Sequence, residues 1–560
     1  MSMKPQELSP IPEETRRIAR QAFPKGTLAM EIRESLGPIS SDEPFAHLFP
    51  KRGRGAEAPW RLALVTVLQT MENLTDRQAA QQVSGRIDWK YALSLPLEEA
   101  SFDYSILSEF RQRLIEHHAE ALVLDPILQL CRERGWLKAG GKQRTDATHV
   151  LASVRALNSL ESVGETMRAT LNALAETEPE WLLEHMEPEW FERYVHRFEL
   201  ARFPKAETQR RALRLQVGED VERLLEVMEQ PETPAAARRV AEVALLRRVF
   251  AQHYEVQEGK VRWRDGPAVC NEERVVSPYD ADARSSRKRD TVWLGYKVHL
   301  TETCDQQEEA PHLIVHVETT PSTIQDSEML VPICQGTRER GLAASEHLVD
   351  QGYTSGEALA TQREHGTEII GPVAQAPSWQ GRAQTGYAPE DFELNWQTKV
   401  ATCPQGQHSV RWKTTQDRRD KEILVIQFDA RHCQGCPVQS LCTHNQEGRR
   451  LTLTPQASQQ ALIQRREEQQ TKEFGQRSGL RAGIEGTISQ AIRTMGGRRS
   501  RYQGLAKTHL QHVRMAGALN LVRIATHLQR QRQGKPARPA RPLSPLARLK
   551  KKMAEERAIA

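Results

Sequence analysis

The chain has 560 residues, 38% apolar and 27% charged, with a net charge of +5. That length exceeds one typical domain of ~100–200 residues and predicts two to four structural units, while no stretch approaches the ~18 apolar residues of a membrane span. The charge is uneven, acidic in the middle (ETEPEWLLEHMEPEWFE, 176–192) and basic in the last quarter, an asymmetry that points to nucleic acid or an anionic surface. The opening MSMKPQELSPIPEETRR lacks the apolar core of a secretory signal, so a cytoplasmic protein is expected, with DNA or RNA as the polyanion.

Residues 1–50, with Pro10, Pro12 and Pro38, read as a polar arm. From Trp60 the pattern is helical: Ala63, Leu64, Val67, Leu68 and Met71 share one face. After Asn73-Leu74, Thr75 is a candidate N-cap for a short helix over DRQAAQQV. The pair has the layout of a helix-turn-helix and equally of an ordinary helical hairpin. A further helix is expected over 105–135, closed by Gly135.

Val, Thr and flanking glycines predict a strand over KQRTDATHVLASV, with Asp146 on it. Residues 155–285 read as a mainly helical insertion, with stripes such as Leu213, Val217, Val221, Leu224 and Met228. Strands are expected at 291–303 and 312–320, followed by a helix from Asp326. A short apolar run then ends at Asp350 in HLVDQGY, and TEIIGPV reads as a last strand. The mix is α/β (α+β) around one sheet.

Three acids sit in unusual settings. Asp is unfavourable inside a strand, which singles out Asp146. Asp350 lies where a strand stops, a common place for functional groups in open sheets. Glu485 lies on a helix that ends at Gly496-Gly497, and no Asp or Glu follows it until after Ala554, across a stretch holding 16 Lys and Arg. Three such carboxylates have the chemistry to hold two Mg²⁺ (or Mn²⁺) ions that act on a phosphodiester. The simpler reading of Glu485 is an (i, i+4) ion pair with Arg481. Asp326 reads as a helix N-cap, and Asp280 and Asp282 are second-choice acids.

Cys403, Cys433, Cys436 and Cys442 form C-x29-C-x2-C-x5-C, a candidate structural Zn²⁺ site; free buried thiols are the alternative. Arg498, Arg499, Arg501 and Lys507, with Tyr502 among them, suit phosphate contacts or a solvated helix face. The last residues, 526–560, are Pro- and Arg-rich and expected to be disordered.

In order and spacing, TDRQAA, RIDWKYALSL, FDYSILSEFRQRL, RTDATHV, WLGYKVHLTET, LVDQGYTSGEAL, CPQG…HCQGCPVQSLC and RAGIEGTISQAIRTMGGRRSRYQGLAKTHLQHVRMAGALN resemble the Asp-Asp-Glu (DDE) transposases of bacterial insertion sequences. The likeness spans about residues 40–525, and is closest to the subgroup with an N-terminal helical domain and a Cys-rich insert before the final Glu. It implies an RNase H-like mixed-sheet catalytic core built from 139–154, 286–398 and 455–525. The implied additions are an all-α DNA-binding domain at 51–138, the insertion at 155–285 and the Cys-rich insert at 399–454. It also implies Asp146, Asp350 and Glu485 as the catalytic, Mg²⁺-binding acids. The implied partners are the element's terminal inverted repeats and target DNA, with a homodimer on DNA. Arg481 matches the family's basic residue four before the Glu, and Arg493 is placed to reach a phosphate. Two positions depart from the family: Ser478 stands where many relatives have Tyr, and Ile492 where many have Lys. Tyr502 is a candidate substitute for that Tyr.

Overall fold

The computed structural model describes residues 2–3, 8–53, 55–198, 203–264, 266, 269–305, 310–375, 379–380, 385–417, 420–534, 544–546, 548–550 and 553. Most of the basic tail, including Lys551 and Lys552, lies outside the described residues. No helix among those described is long and apolar enough to cross a membrane. The chain divides into two compact units: 1–138 with 304–314 and 516–560, and 139–303 with 315–515.

The first unit is helical. Its helices are α1 (Glu13–Ala22), α2 (Leu28–Leu36), α3 (Pro59–Met71), α4 (Asp76–Gly85), α5 (Ile87–Ala92), α6 (Ser105–Glu116) and α7 (Asp125–Glu133). The first fifty residues are therefore not a polar arm. α1 and α2 pack on α5, burying Ala19 and Met30 against Tyr91, and Phe45 is fully buried as well. The low apolar content of that stretch hid a few well-spaced anchors. Thr75 caps α4 as expected, in a reciprocal capping box with Gln78. The helix expected over 105–135 is broken: His118 takes a left-handed backbone (φ 51°), and Pro126 starts a new helix in its first turn, where its missing N–H costs nothing.

In the second unit, the mixed sheet runs β4 (Arg284–Lys288), β5 (Thr291–Thr303), β1 (Lys142–Leu151), β7 (Glu346–Leu348), β8 (Glu368–Ile370), and β6 (Ile314–Pro321) also pairs with β5. β1 is antiparallel to β5, from Gln143↔Thr303 to Leu151↔Gly295. It is parallel to β7, and β7 is parallel to β8. This mixed α/β architecture with β1 at the centre is the RNase H-like core. α14 (Asp326–Glu339) and α15 (Gly356–Glu364) cover one face, burying Leu330, Ile333, Leu359, Ile369 and Tyr353 in one cluster, with Ala147 of β1 against it. α15 was not expected, because its composition, GEALATQRE, carries too little apolar periodicity.

Between β1 and β4 lie α8 (Ser159–Thr177), α9 (Pro179–His185), α10 (Pro188–Tyr194), α11 (Glu207–Glu229), α12 (Ala235–Arg238) and α13 (Ala241–His253). The hairpin of β2 (Tyr254–Gln257) and β3 (Lys260–Trp263) follows α13. These helices share their own core of Val217, Val221, Leu224, Met228, Val243 and Leu246 with Trp190 and Tyr254.

After β8 come β9 (Glu393–Asn395), β10 (Val400–Thr402), β11 (Ser409–Gln416), β12 (Glu422–Phe428), α16 (Ala430–Gln434), α17 (Gln439–Cys442) and β13 (Arg450–Leu453). The chain then returns through α18 (Gln456–Glu468), α19 (Lys472–Gly479) and α20 (Gly483–Met495) to the long α21 (Leu505–Arg532). α21 continues seven residues past 525, where the disordered tail was expected to begin.

Candidate active site

The ladder between β1 and β7 ends at Arg144↔Leu348. Two residues beyond that pair come Asp146, still on β1, and Asp350, just past the end of β7, so the parallel register brings them near each other and the Asp350 charge acts on Asp146. Asp350 opens a tight turn in which the Tyr353 N–H donates to its carbonyl (3.2 Å) and the Gly352 N–H to its Oδ1 (2.9 Å). Asp146 Oδ1 accepts the Ala147 N–H at 2.7 Å. Burial pushes the Asp146 carboxyl above the usual carboxylate range; the Asp350 charge adds to the rise, while the Ala147 N–H and Arg481 oppose it.

Glu485 comes from the first turn of α20, with its side chain 65% exposed. What fixes α20 to the sheet is a buried charge pair two residues along β1 from Asp146. Arg144 on β1 and Glu302 on β5 face each other in register, with Nη2 and Oε1 2.6 Å apart and Glu302 fully buried. Glu302 Oε2 accepts from the Thr487 hydroxyl of α20 at 2.6 Å. Arg144 Nη1 donates to the Leu480 carbonyl at 2.8 Å. A Cβ at Gly483 would sit 2.0 Å from Arg144 Nη1, so only glycine lets the helix start this close to the strand. The buried stripe of α20 is Ile484, Thr487, Ala491 and Met495, with Ile488 and Ile492 half-buried beside it.

Arg481 joins the first acid to the third. Its Nη1 donates to Asp146 Oδ2 at 2.9 Å and its Nη2 to Glu485 Oε1 at 3.3 Å. The (i, i+4) pair read from the sequence is real, and it is one half of a fork. Among the described residues, no group of three or more His, Cys, Asp or Glu side chains is arranged as a ready metal cage. The donor set nonetheless fits a hard cation: carboxylate oxygens only, two of the acids adjacent, one of them destabilised by its neighbour.

Three residues enter whose part here sequence reasoning missed: Asp326, Lys297 and Tyr353. Asp326 is not the cap of α14; Gln325 holds that position, with no side-chain capping bond. Asp326 Oδ1 instead takes the Lys297 ammonium of β5 at 2.9 Å, and Lys297 also donates to the Ile324 carbonyl. A Cβ at Gly352 would lie 3.1 Å from Asp350 Oδ1 and 3.5 Å from Asp326 Oδ2, so both carboxylates converge there. Beneath them Tyr353 is fully buried, its hydroxyl 2.6 Å from His299 Nδ1. Burial, then the charges of Asp326, Asp146 and Asp350, hold the phenol protonated. Burial lowers His299 to about 4, leaving it neutral near pH 7. Alternation along β5 places Lys297 and His299 on one face, but only the fold reveals that α14 begins there.

Asp280 and Asp282 have structural partners. Asp280 accepts from the Tyr296 hydroxyl, and Asp282 Oδ2 accepts the Leu505 N–H at 2.9 Å at the start of α21. The basic segment after α20 rejoins the sheet: the Leu151 N–H donates to the Arg498 carbonyl and the Ser500 N–H to the Leu151 carbonyl. Arg498 is consumed in this join, donating to Thr148 Oγ1 and the His149 carbonyl at 2.8 Å each. Arg493, Arg499, Arg501 and Lys507 are exposed. Tyr502 is half-buried, with Arg514 stacked on its ring at 5.5 Å and donating to its hydroxyl at 3.0 Å.

In the Cys-rich insert, Cys403, Cys433, Cys436 and Cys442 line one pocket beside a core of Phe392, Leu424, Ile426, Phe428 and Leu451. Backbone N–H groups of Gln407 and Arg449 point at Cys403 Sγ (3.4 Å) and Cys433 Sγ (3.3 Å). Burial pushes the Cys442 thiol up to about 11. The four are free thiols.

Residues 402–525, which include the four cysteines and Glu485, match the family described as a transposase DDE domain, and residues 17–113 match a transposase domain. Together the two matches support a DDE transposase of insertion-sequence type. Asp146 on β1 and Asp350 just past β7 lie outside both matched segments of the chain. No curated protein matches the chain.

Proposed function

We propose that the transposase cuts DNA at the ends of its insertion sequence and joins the freed 3′-hydroxyl to target DNA, with Asp146, Asp350 and Glu485 as its catalytic carboxylates. The observation that carries this reading is the adjacency of Asp146 and Asp350 past the end of one parallel ladder, with Glu485 tied to the same place by Arg481. Two Mg²⁺ (or Mn²⁺) ions, when bound by these oxygens, would activate the attacking oxygen and stabilise the leaving one. Asp146 and Asp350 offer rigid oxygens from the sheet; Glu485 supplies the third from a helix held by Arg144, Glu302 and Thr487. Water and then the DNA 3′-hydroxyl act as nucleophiles, without a protein–DNA covalent bond. Arg481, Arg493, Arg499, Arg501 and Lys507 neutralise phosphates, giving salt-sensitive binding with little base information. Terminal inverted repeats and target DNA are the partners, a homodimer forms on DNA, the helical region 51–138 adds DNA contacts, and the protein works in the cytoplasm.

Strand-joining with terminal DNA, Mg²⁺ and a Glu485→Gln control tests the reading. Cutting and joining that vanish in the variant support it. Cutting without joining makes the protein an RNase H-like nuclease, and metal-independent binding alone makes it a silent DNA-binding relative.

The cysteine pocket favours a second, structural role. Its four sulfurs, two of them facing backbone N–H groups, form a soft donor set suited to Zn²⁺. Zinc in the purified protein that falls on Cys436→Ser substitution is expected; zinc-free wild type overturns this role.

A further inference from the structure

The guanidinium of Arg481 occupies oxygens that a cation would use. It binds one oxygen of Asp146 and one of Glu485, leaving Asp350 outside the fork. The two anchors differ. Asp146 is fixed in β1 and 19% exposed, whereas Glu485 is 65% exposed on a helix surface. Arg481 itself lies in a single tight turn, Leu480–Ala482, between α19 and α20, with its side chain 23% exposed. The preceding Leu480 carbonyl is held by Arg144, and among the described residues the fork is held by the two acids. A guanidinium also matches a phosphate in two-pronged geometry.

The other charges nearby are arranged differently. Lys297 is bound to Asp326 and to the Ile324 carbonyl. It balances Asp326 without touching Asp146 or Glu485. Arg481 is thus the cation whose departure opens both the first and third acids.

We infer that Arg481 is a placeholder for the metal: it holds Asp146 and Glu485 together in the DNA-free protein, competes with divalent cations for their oxygens, and passes to a DNA phosphate when an ion enters. This rests on the carboxylate reading of the site given above. Competition at the site and hand-over to DNA are two faces of one linkage, so metal and DNA reinforce each other's binding, with Arg481 as the coupling element. A divalent ion relieves the Asp146–Asp350 repulsion that a guanidinium on Asp146 alone leaves in place.

The test is Mn²⁺ titration of the full-length protein without DNA, read by the electron paramagnetic signal of free Mn²⁺. Four proteins are compared: wild type, Arg481→Gln, Arg481→Lys and Asp350→Asn, each checked for folding by circular dichroism. Arg481→Gln is expected to bind Mn²⁺ at least about tenfold more tightly than wild type, since no cation contests the oxygens. Arg481→Lys, which keeps the charge but loses the fork, falls between them and carries the test if the Gln variant fails to fold. Equal or weaker binding in the Arg481 variants, with Asp350→Asn still impaired, overturns the placeholder and leaves the active-site reading standing. Unchanged Mn²⁺ binding in Asp350→Asn overturns the active-site reading itself. In a second arm, saturating Mn²⁺ tightens wild-type binding to a mixed-sequence duplex and has little effect on Arg481→Gln. No gain in wild type overturns the hand-over.

Discussion

Glu302→Ala removes one member of the buried pair that holds α20 against the sheet. Glu302 is fully buried and the Arg144 side chain is 9% exposed, at 2.6 Å. Deleting one partner strands a buried guanidinium, which costs about 3–5 kcal/mol, and it also takes away the acceptor of the Thr487 hydroxyl. A loss of that size is a large share of a typical ~5–15 kcal/mol stability. Urea denaturation followed by circular dichroism gives the magnitude, and hydrogen exchange on α20 amides gives the location. Replacing both charges, with Arg144→Leu and Glu302→Leu, removes the stranded charge and should recover most of the stability. The double variant should still cut DNA poorly, because the Leu480 carbonyl and the Thr487 hydroxyl have lost their bonds to Arg144 and Glu302. A Glu302→Ala variant destabilised by less than about 1 kcal/mol, or a double variant with full activity, refutes the strut.

The Asp146 carboxyl is raised by burial, so between the ordinary carboxylate value and its own raised value the folded state binds the extra proton and stability falls as pH rises. Asp146→Asn should flatten that slope and be more stable than wild type at neutral pH, as denaturant midpoints from about pH 4 to pH 7 will show. Gly352→Ala puts a methyl 3.1 Å from Asp350 Oδ1; cutting is expected to drop about tenfold or more while the unfolding midpoint barely moves, because small misplacements of reacting groups are costly. Arg498→Ala should cost about 1–3 kcal/mol of stability through its two lost bonds to β1. Arg499→Ala should leave stability intact, weaken DNA binding and lower the salt-dependence slope by about 1.

The sequence marked β1, β5 and α14 closely, because glycines bound the first, β-branched and aromatic residues fill the second and an apolar period marks the third. Asp146 and Asp350 stood out for local reasons, an acid in a strand and an acid at a strand end. Their adjacency did not, since it follows from a parallel register between segments two hundred residues apart. Arg144 and Glu302 look like ordinary surface charges in the sequence and become a buried pair only through the β1–β5 ladder. Asp326 misled for the opposite reason: its position at the head of a helix is what an N-cap predicts, and only the placement of Lys297 across the sheet shows what it binds. Arg498 resembled its exposed neighbours, yet the chain returns to the edge of β1 at that residue and spends it there.

The most direct measurement of the central claim is the single-turnover rate of Mg²⁺-dependent cutting at the element's terminal DNA by Asp146→Asn, Asp350→Asn and Glu485→Gln. Each keeps side-chain size and removes one charge. The rate should fall at least about a thousandfold in every variant, the scale of removing one group that stabilises transition-state charge, with DNA binding retained. Wild-type cutting by any one of the three would contradict the account.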